Sequence, residues 1–200
     1  MKKTNYFFNF ISSYNKIIFK VIFFEIFYSI RFFELLPKIK VQNNYVRTDT
    51  VPCIYYFLHE ISKFLKIKRI NSVVDIGSGY GRVVNFISQK NNINSYGIEY
   101  DKEVFKSSLK IKSENVDLYC GDAITFNLQK LNSNCFILND PFKKIDDRNK
   151  FLLKIKKLNP GKRKYIISIN DNKKKFAKGF KLIHSIIGSK TRSLRIFEVY

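Results

Sequence analysis

The order of apolar and polar positions divides the chain into two parts. From Tyr6 to Leu36 the residues are mostly apolar and aromatic. At about 100° per residue, Asn9, Ser13, Lys16, Lys20, Arg31 and Glu34 fall on one narrow stripe, broken by Phe27. The pattern predicts one long helix with a broad apolar face, stopped by Pro37. Lys20 and Glu25 interrupt its most apolar stretch, which leaves no uncharged span of about 18 residues for a membrane-crossing helix. Met1-Lys2-Lys3 resembles the start of a secretory leader, but no small-x-small cleavage site follows. Two placements suit the helix. It can pack on the body of the domain or on a second copy, or it can lie in a membrane surface with aromatics in lipid and lysines among headgroups. Lys20 and Glu25 sit on different sides, and an in-plane anchor would push Glu25 into lipid, so packing on the body is the expectation. Peripheral membrane contact is the alternative.

Beyond Asn43-Asn44 the pattern changes to short alternating strands and helices. It predicts a helix over 50–66, a continuous apolar strand over 70–76 and a helix over about 82–90. A strand over 95–99, a helix from 101 and strands over 116–120 and 135–139 follow, then a helix over about 146–157 and a strand over 164–169. Strand, helix, strand at this spacing means parallel units with helices covering both faces of the sheet. The tail differs: FKLIHSII (180–187), a Gly188-Ser189 turn and SLRIFEVY (193–200) must form an antiparallel hairpin. The expected division is a helical extension over 1–44 and one α/β domain over 45–200.

Two hundred residues, 45% hydrophobic and 26% charged, suit one folded domain and exclude wholesale disorder. The net charge of +21 is unusual, but 29 Lys against 8 Arg, with abundant Asn, Ile and Phe, reads as AT-rich codons, so basicity alone says little about nucleic acid. Its distribution says more. Residues 71–140 hold 7 basic and 8 acidic groups, whereas 141–200 hold 18 and 4. A middle third that keeps its carboxylates on such a background uses them, and the basic flanks favour an anionic neighbour. Cys53, Cys120 and Cys135 are odd in number and form no C-x-x-C pair, which argues against a disulfide framework and a zinc site and for a reducing, cytoplasmic compartment with three buried thiols. His59 and His184 stand far apart and read as structural, so no metal is expected.

The candidate chemistry lies at the strand ends. Gly77, Gly79 and Gly81 follow a buried strand and open a helix, where glycine lets the backbone turn sharply beside a helix N-terminus. A dinucleotide fingerprint would need glycine at position 82, which is Arg82, and this disfavours a dehydrogenase. Glu99 ends the second strand, 20 residues after Gly79, where a carboxylate can accept ribose hydroxyl protons. Asp122 follows the third strand, and Asn139-Asp140-Pro141-Phe142 follows the fourth. Ligands of an open parallel sheet collect at these carboxyl ends. Asp101 reads as a helix N-cap, and Asp140 before proline also suits a turn.

VVDIGSGYGRVV, GIEYD, CGDAI and FILNDPF, in this order, resemble the motifs of class I S-adenosylmethionine-dependent methyltransferases over roughly residues 45–200. Tyr45 to Pro52, Arg82 and the Asn/Asp-Pro-Phe triplet are similar to small bacterial members of unassigned substrate, with a looser likeness to non-SET protein-lysine methyltransferases. The resemblance implies a Rossmann-like fold with a seven-stranded, mostly parallel sheet and S-adenosylmethionine as cofactor. It implies that Asp75, Gly77, Gly79 and Gly81 hold the methionine part, Glu99 the ribose, and Asp122 with Ala123 the adenine, with Asn139 also binding the cofactor. It further implies an acceptor side at Asp140 and Phe142, where amine-directed relatives carry Asp/Asn-Pro-Pro-Tyr/Phe; the second proline is absent here. Protein lysine, RNA, glycan and small molecules all remain open as acceptors, and the rival function is a catalytically silent membrane- or RNA-associated binding protein on the same fold.

Overall fold

The computed structural model describes residues 9–32, 39–40, 50–171, 176 and 178–200. Seven strands form one sheet in the order β3-β2-β1-β4-β5-β7-β6: β1 (Ser72–Ile76), β2 (Asn94–Glu99), β3 (Val116–Cys120), β4 (Cys135–Asn139), β5 (Lys164–Ile169), β6 (Phe180–Ile187) and β7 (Ser193–Val199). The first five are mutually parallel; β7 runs antiparallel between β5 and β6. The expected fold class is therefore observed, including the terminal hairpin.

Every position of β1 and β5 is buried, because helices cover both faces. Alternate side chains diverge into two cores. Val73, Ile137, Ile167 and Ile196 enter one, and Val74, Phe136, Ile166 and Phe197 enter the other. Helices α1 (Ile18–Arg31), α2 (Tyr55–Ile67) and α3 (Arg82–Asn91) contribute to the first core. The short α4 (Lys102–Ser108) packs along β2 and β3, and α5 (Ile145–Lys157) drives Phe151, Leu152 and Ile155 into the second core.

The N-terminal segment is not one unbroken helix. Residues 9–12 are helical, Ser13 and Tyr14 turn, Asn15–Ile17 form a single 3-10 turn, and only then does α1 begin. The break follows from Tyr14. Its fully buried ring packs edge-on to Phe10 and Phe57, and its hydroxyl donates to Asn170 Oδ1 at 3.2 Å. The Lys16 N–H leaves the helical pattern and donates to Gly188 O at 3.0 Å in the β6–β7 turn. A Cβ at Gly188 would lie 2.8 Å from the Tyr14 ring, so this approach requires glycine. The expected stop at Pro37 and the boundary at 44/45 lie outside the described residues.

Glu25 is the tie between α1 and the body. Val21, Glu25 and Tyr28, one face of the helix, are buried. One Glu25 oxygen accepts the Tyr55 N–H at 2.5 Å and the other accepts from Arg82 Nη1 at 3.1 Å. Arg82 also donates to Cys53 O and lies 4.2 Å from the Tyr55 ring centroid. Helix α2 begins at Tyr55 rather than Thr50, because Pro52 holds the preceding backbone extended and Ile54 offers no side-chain cap. Glu25 supplies the missing acceptor from another helix, with the sign that a helix N-terminus favours.

Removing one partner of a buried pair strands a charge, so Glu25→Ala should cost about 3–5 kcal/mol in urea unfolding. Lys63→Ala, which breaks an exposed pair with Glu60, should cost under about 1 kcal/mol. Glu25→Ala combined with Arg82→Ala should cost less than the sum of the two single changes.

Candidate functional site

The parallel strands end on one rim, where a cavity of about 550 Å³ opens. Asp75 and Gly77 follow the line of β1, Glu99 ends β2, Asp122 and Ala123 follow β3, and Asn139 and Phe142 lie at and beyond the end of β4; all seven line the cavity. Gly79 lines it too. Gly81 and Asp140 do not. Gly81 instead serves α3 as its N-cap, with a left-handed φ of 86° and its carbonyl accepting from the Asn85 side chain at 2.8 Å. Asp140 adopts a left-handed φ of 44°, the turn geometry open to Asp before proline.

The glycine loop is held by backbone and carboxylate together. The Gly77 and Ser78 N–H groups both donate to Ile98 O, at 2.8 and 3.1 Å. Gly79 N–H donates to Glu99 Oε2 at 2.8 Å, while Glu99 Oε1 accepts from Asp101 N–H at 2.7 Å. Glu99 thus fixes the loop after β1 against the turn after β2. Gly77 and Gly79 are needed for close approach as well as positive φ: a Cβ there would lie 2.8 Å from Pro141 Cβ and 2.9 Å from Thr50 Cγ2.

Asp101 is the N-cap expected of it. Its Oδ1 accepts from the Glu103 and Val104 N–H groups, and its Oδ2 pairs with Lys40 at 3.0 Å. Asp122 Oδ1 accepts the Ile124 N–H at 2.8 Å, which turns the chain around Ala123. Lys154 of α5 clamps that turn by donating to the carbonyls of Ala123, Ile124 and Phe126. Asn139 donates to Val51 O at 3.2 Å and accepts from Asn170 Nδ2 at 3.3 Å, tying β4 to the segment before α2 and to the end of β5.

Burial sets the electrostatics. Asp75 is 1% exposed, and desolvation, helped by the nearby Glu99 charge, pushes its carboxyl up to about 8. Glu99 is raised as well, by burial, against the backbone N–H groups of Asp101, Gly79 and Tyr100 that favour its ionised form. Asp75 Oδ1 and Ser78 Oγ are buried with no hydrogen-bond partner among the described residues. Orphaned acceptors of this kind beside a turn of backbone suit a ligand that brings N–H or O–H donors and positive charge.

Residues 50–55 form much of the opposite wall, with Thr50, Val51, Pro52, Cys53 and Tyr55 all in the lining. The run up to Pro52 enters the sequence reading only through family likeness; no spacing rule brings it to the rim. Tyr80, Tyr100 and Asp101, which carry no ligand signal in the sequence, line it too. Cys53 and Cys135 are buried thiols raised by burial, but Cys120 is exposed, contrary to expectation, because it ends a strand near the sheet edge. His59 meets the Tyr28 hydroxyl at 3.1 Å, a structural contact.

No sequence-family model matches the chain, and no curated protein matches it. Solved structures do. An RNA methyltransferase from Salinibacter ruber, in complex with S-adenosyl-L-homocysteine, is similar with a TM-score of 0.55 and 19% identity over 74% of this chain and 94% of that one. A TehB-like SAM-dependent methyltransferase from Corynebacterium glutamicum is similar at 0.51 and 13%, over 70% and 86%. The mitomycin 7-O-methyltransferase MmcR is similar at 0.52 and 12%, over 72% of this chain and 54% of its own length. The fold is the Rossmann-like methyltransferase fold.

Asp75 offers a test of the site's electrostatics. Its folded pKa of about 8 lies above the unfolded value of about 4. The folded form therefore holds a proton the unfolded chain has lost, and stability falls as pH rises from about 4 to 8. Asp75→Asn should raise the melting temperature at pH 8 more than at pH 5, flattening that slope. A slope unchanged by the substitution would mean that Asp75 is already ionised.

Proposed function

We propose that the chain binds S-adenosylmethionine at this rim and transfers its methyl group to a nucleophilic acceptor. The observation that carries the reading is the pairing of Glu99 with the glycine loop, beside the buried and unsatisfied Asp75. When bound, the cofactor supplies an electrophilic methyl on a sulfonium together with an ammonium group. Asp75, drawn into its ionised form by that positive charge, would hold the ammonium with Ser78 Oγ. Glu99 has lone pairs left after its backbone bonds and would accept the ribose hydroxyls. The Asp122 turn, clamped by Lys154, would form the adenine wall with Ala123. Arg82 weighs against a dinucleotide, since it fills the place of the third glycine and its guanidinium is bound to Glu25 and Cys53 O.

The acceptor side is proposed to take an amine, on Pro141 and Phe142 in the cavity wall, with Phe142 braced by Phe151 at 5.3 Å. Asn139 Oδ1 and backbone carbonyls would receive the amine's hydrogens. Methyl transfer needs alignment of nucleophile and sulfonium more than a general base, so a wall with few titratable groups is compatible with turnover.

Calorimetric titration should show binding of S-adenosylmethionine and S-adenosylhomocysteine and none of NAD; the reverse would refute the cofactor. Glu99→Ala should weaken cofactor binding by about 1.5–3 kcal/mol, roughly ten- to hundredfold. It should also lower the melting temperature, because two backbone N–H groups lose their acceptor. On the acceptor side, Phe142→Ala should slow methyl transfer to lysate acceptors, read with labelled cofactor, by more than it weakens cofactor affinity. Asp140→Ala should do the same only if its carboxylate swings into the cavity on binding.

A further inference from the structure

Helix α1 buries Val21, Glu25 and Tyr28 against the body and turns its other face outward. That outward face carries Phe19, Ile22, Phe23, Ile26, Phe27 and Ile30, with Phe19 85%, Phe23 62% and Ile30 66% exposed. At about 100° per residue the six positions fall within about 140° of arc, a continuous apolar stripe without a polar side chain inside it. A monomer in water rarely leaves such a patch bare.

The charges beside the stripe bear on what could cover it. Lys20 and Arg31 lie along one edge. On that side Lys20 Nζ sits 5.6 Å from the Tyr56 ring, and Phe24 packs on His59 at 4.6 Å. Lys63, Lys66 and Lys90 are all near enough to His59 to act on its charge. Of the described carboxylates in this region, Glu60 is held by Lys63 at 3.0 Å and Glu25 points into the body against Arg82. The objection to an in-plane helix was that Glu25 would enter lipid; the structure removes it by placing Glu25 on the buried face. A second copy would bring two such cationic rims together, each on a chain of net charge +21. No described helix is long and apolar enough to cross a membrane, which leaves docking in the surface plane.

We propose that the outer face of α1 docks in the interface of an anionic lipid bilayer, with its phenylalanines and isoleucines among the acyl chains and Lys20, Arg31, Lys63 and Lys66 among the headgroups. The docking does not depend on the proposed reaction.

The full chain should co-sediment with phosphatidylcholine vesicles containing phosphatidylserine and bind pure phosphatidylcholine far less, and added salt should weaken the binding. Phe23→Glu with Ile26→Glu, both on the exposed face, should lower vesicle binding about tenfold or more while leaving the melting temperature unchanged. The chain has no tryptophan, so Ile26→Trp is a single reporter, useful even if the double variant folds poorly. Its emission should shift to the blue on adding phosphatidylserine vesicles. An unshifted emission, vesicle binding that survives the double variant intact, or a stable dimer in sedimentation that the double variant dissolves without any vesicle binding would each overturn the proposal.

Discussion

Glu99 accepting the N–H groups of Gly79 and Asp101 is the interaction on which the cavity depends. The sheet brings the ends of β1 and β2 side by side, but adjacency alone does not fix a loop of three left-handed glycines. One carboxylate, 8% exposed, joins the two turns and sets where the backbone can approach a ligand. Its own burial is costly, and its backbone hydrogen bonds offset part of that cost. Asp75 receives no equivalent help among the described residues, which is why its carboxyl rises to about 8. A buried acid left short of donors and a second one supplied with them make a site ready for a cation carrying hydroxyls.

A second carboxylate organises the helices behind the glycine loop by the same logic. Glu25 gives one oxygen to the N-terminus of α2 and the other to Arg82 at the start of α3, directly after the glycine loop. The N-terminal helix is thereby linked to the loop's own helix. Its inner face is spent on the body and its outer face remains apolar. One short helix serves as a structural cap on the inside and carries an exposed apolar stripe on the outside, because a helix has room for two apolar faces when its few charges sit between or beneath them.

The strands were legible in the sequence because short runs rich in apolar and β-branched residues alternate with turn and helix signals; β3, β4, β5 and β6 fall where the pattern puts them. The carboxyl-end rule put Gly77, Gly79, Glu99, Asp122 and Asn139 on one rim without any tertiary information, and the family likeness added Asp75. What could not be read depends on contacts distant in sequence. Tyr14 breaks the first helix because it reaches Asn170 and Gly188. Helix α2 starts late because Pro52 delays it until Glu25 can cap it. Glu25, which looked like a misplaced charge on an apolar helix, has its reason in Arg82, 57 positions away. Gly81 and Asp140 carry the right residue types at the right spacing, yet one caps a helix and the other turns the chain outside the cavity wall.

The central claim is that a cationic cofactor completes a buried, proton-holding Asp75 beside Glu99. Isothermal calorimetry of S-adenosylmethionine binding at pH 7, repeated in buffers of different ionisation enthalpy, counts the protons exchanged. The account predicts release of close to one proton per cofactor bound, abolished in Asp75→Asn. Binding heats that do not depend on the buffer, or proton uptake, would contradict it.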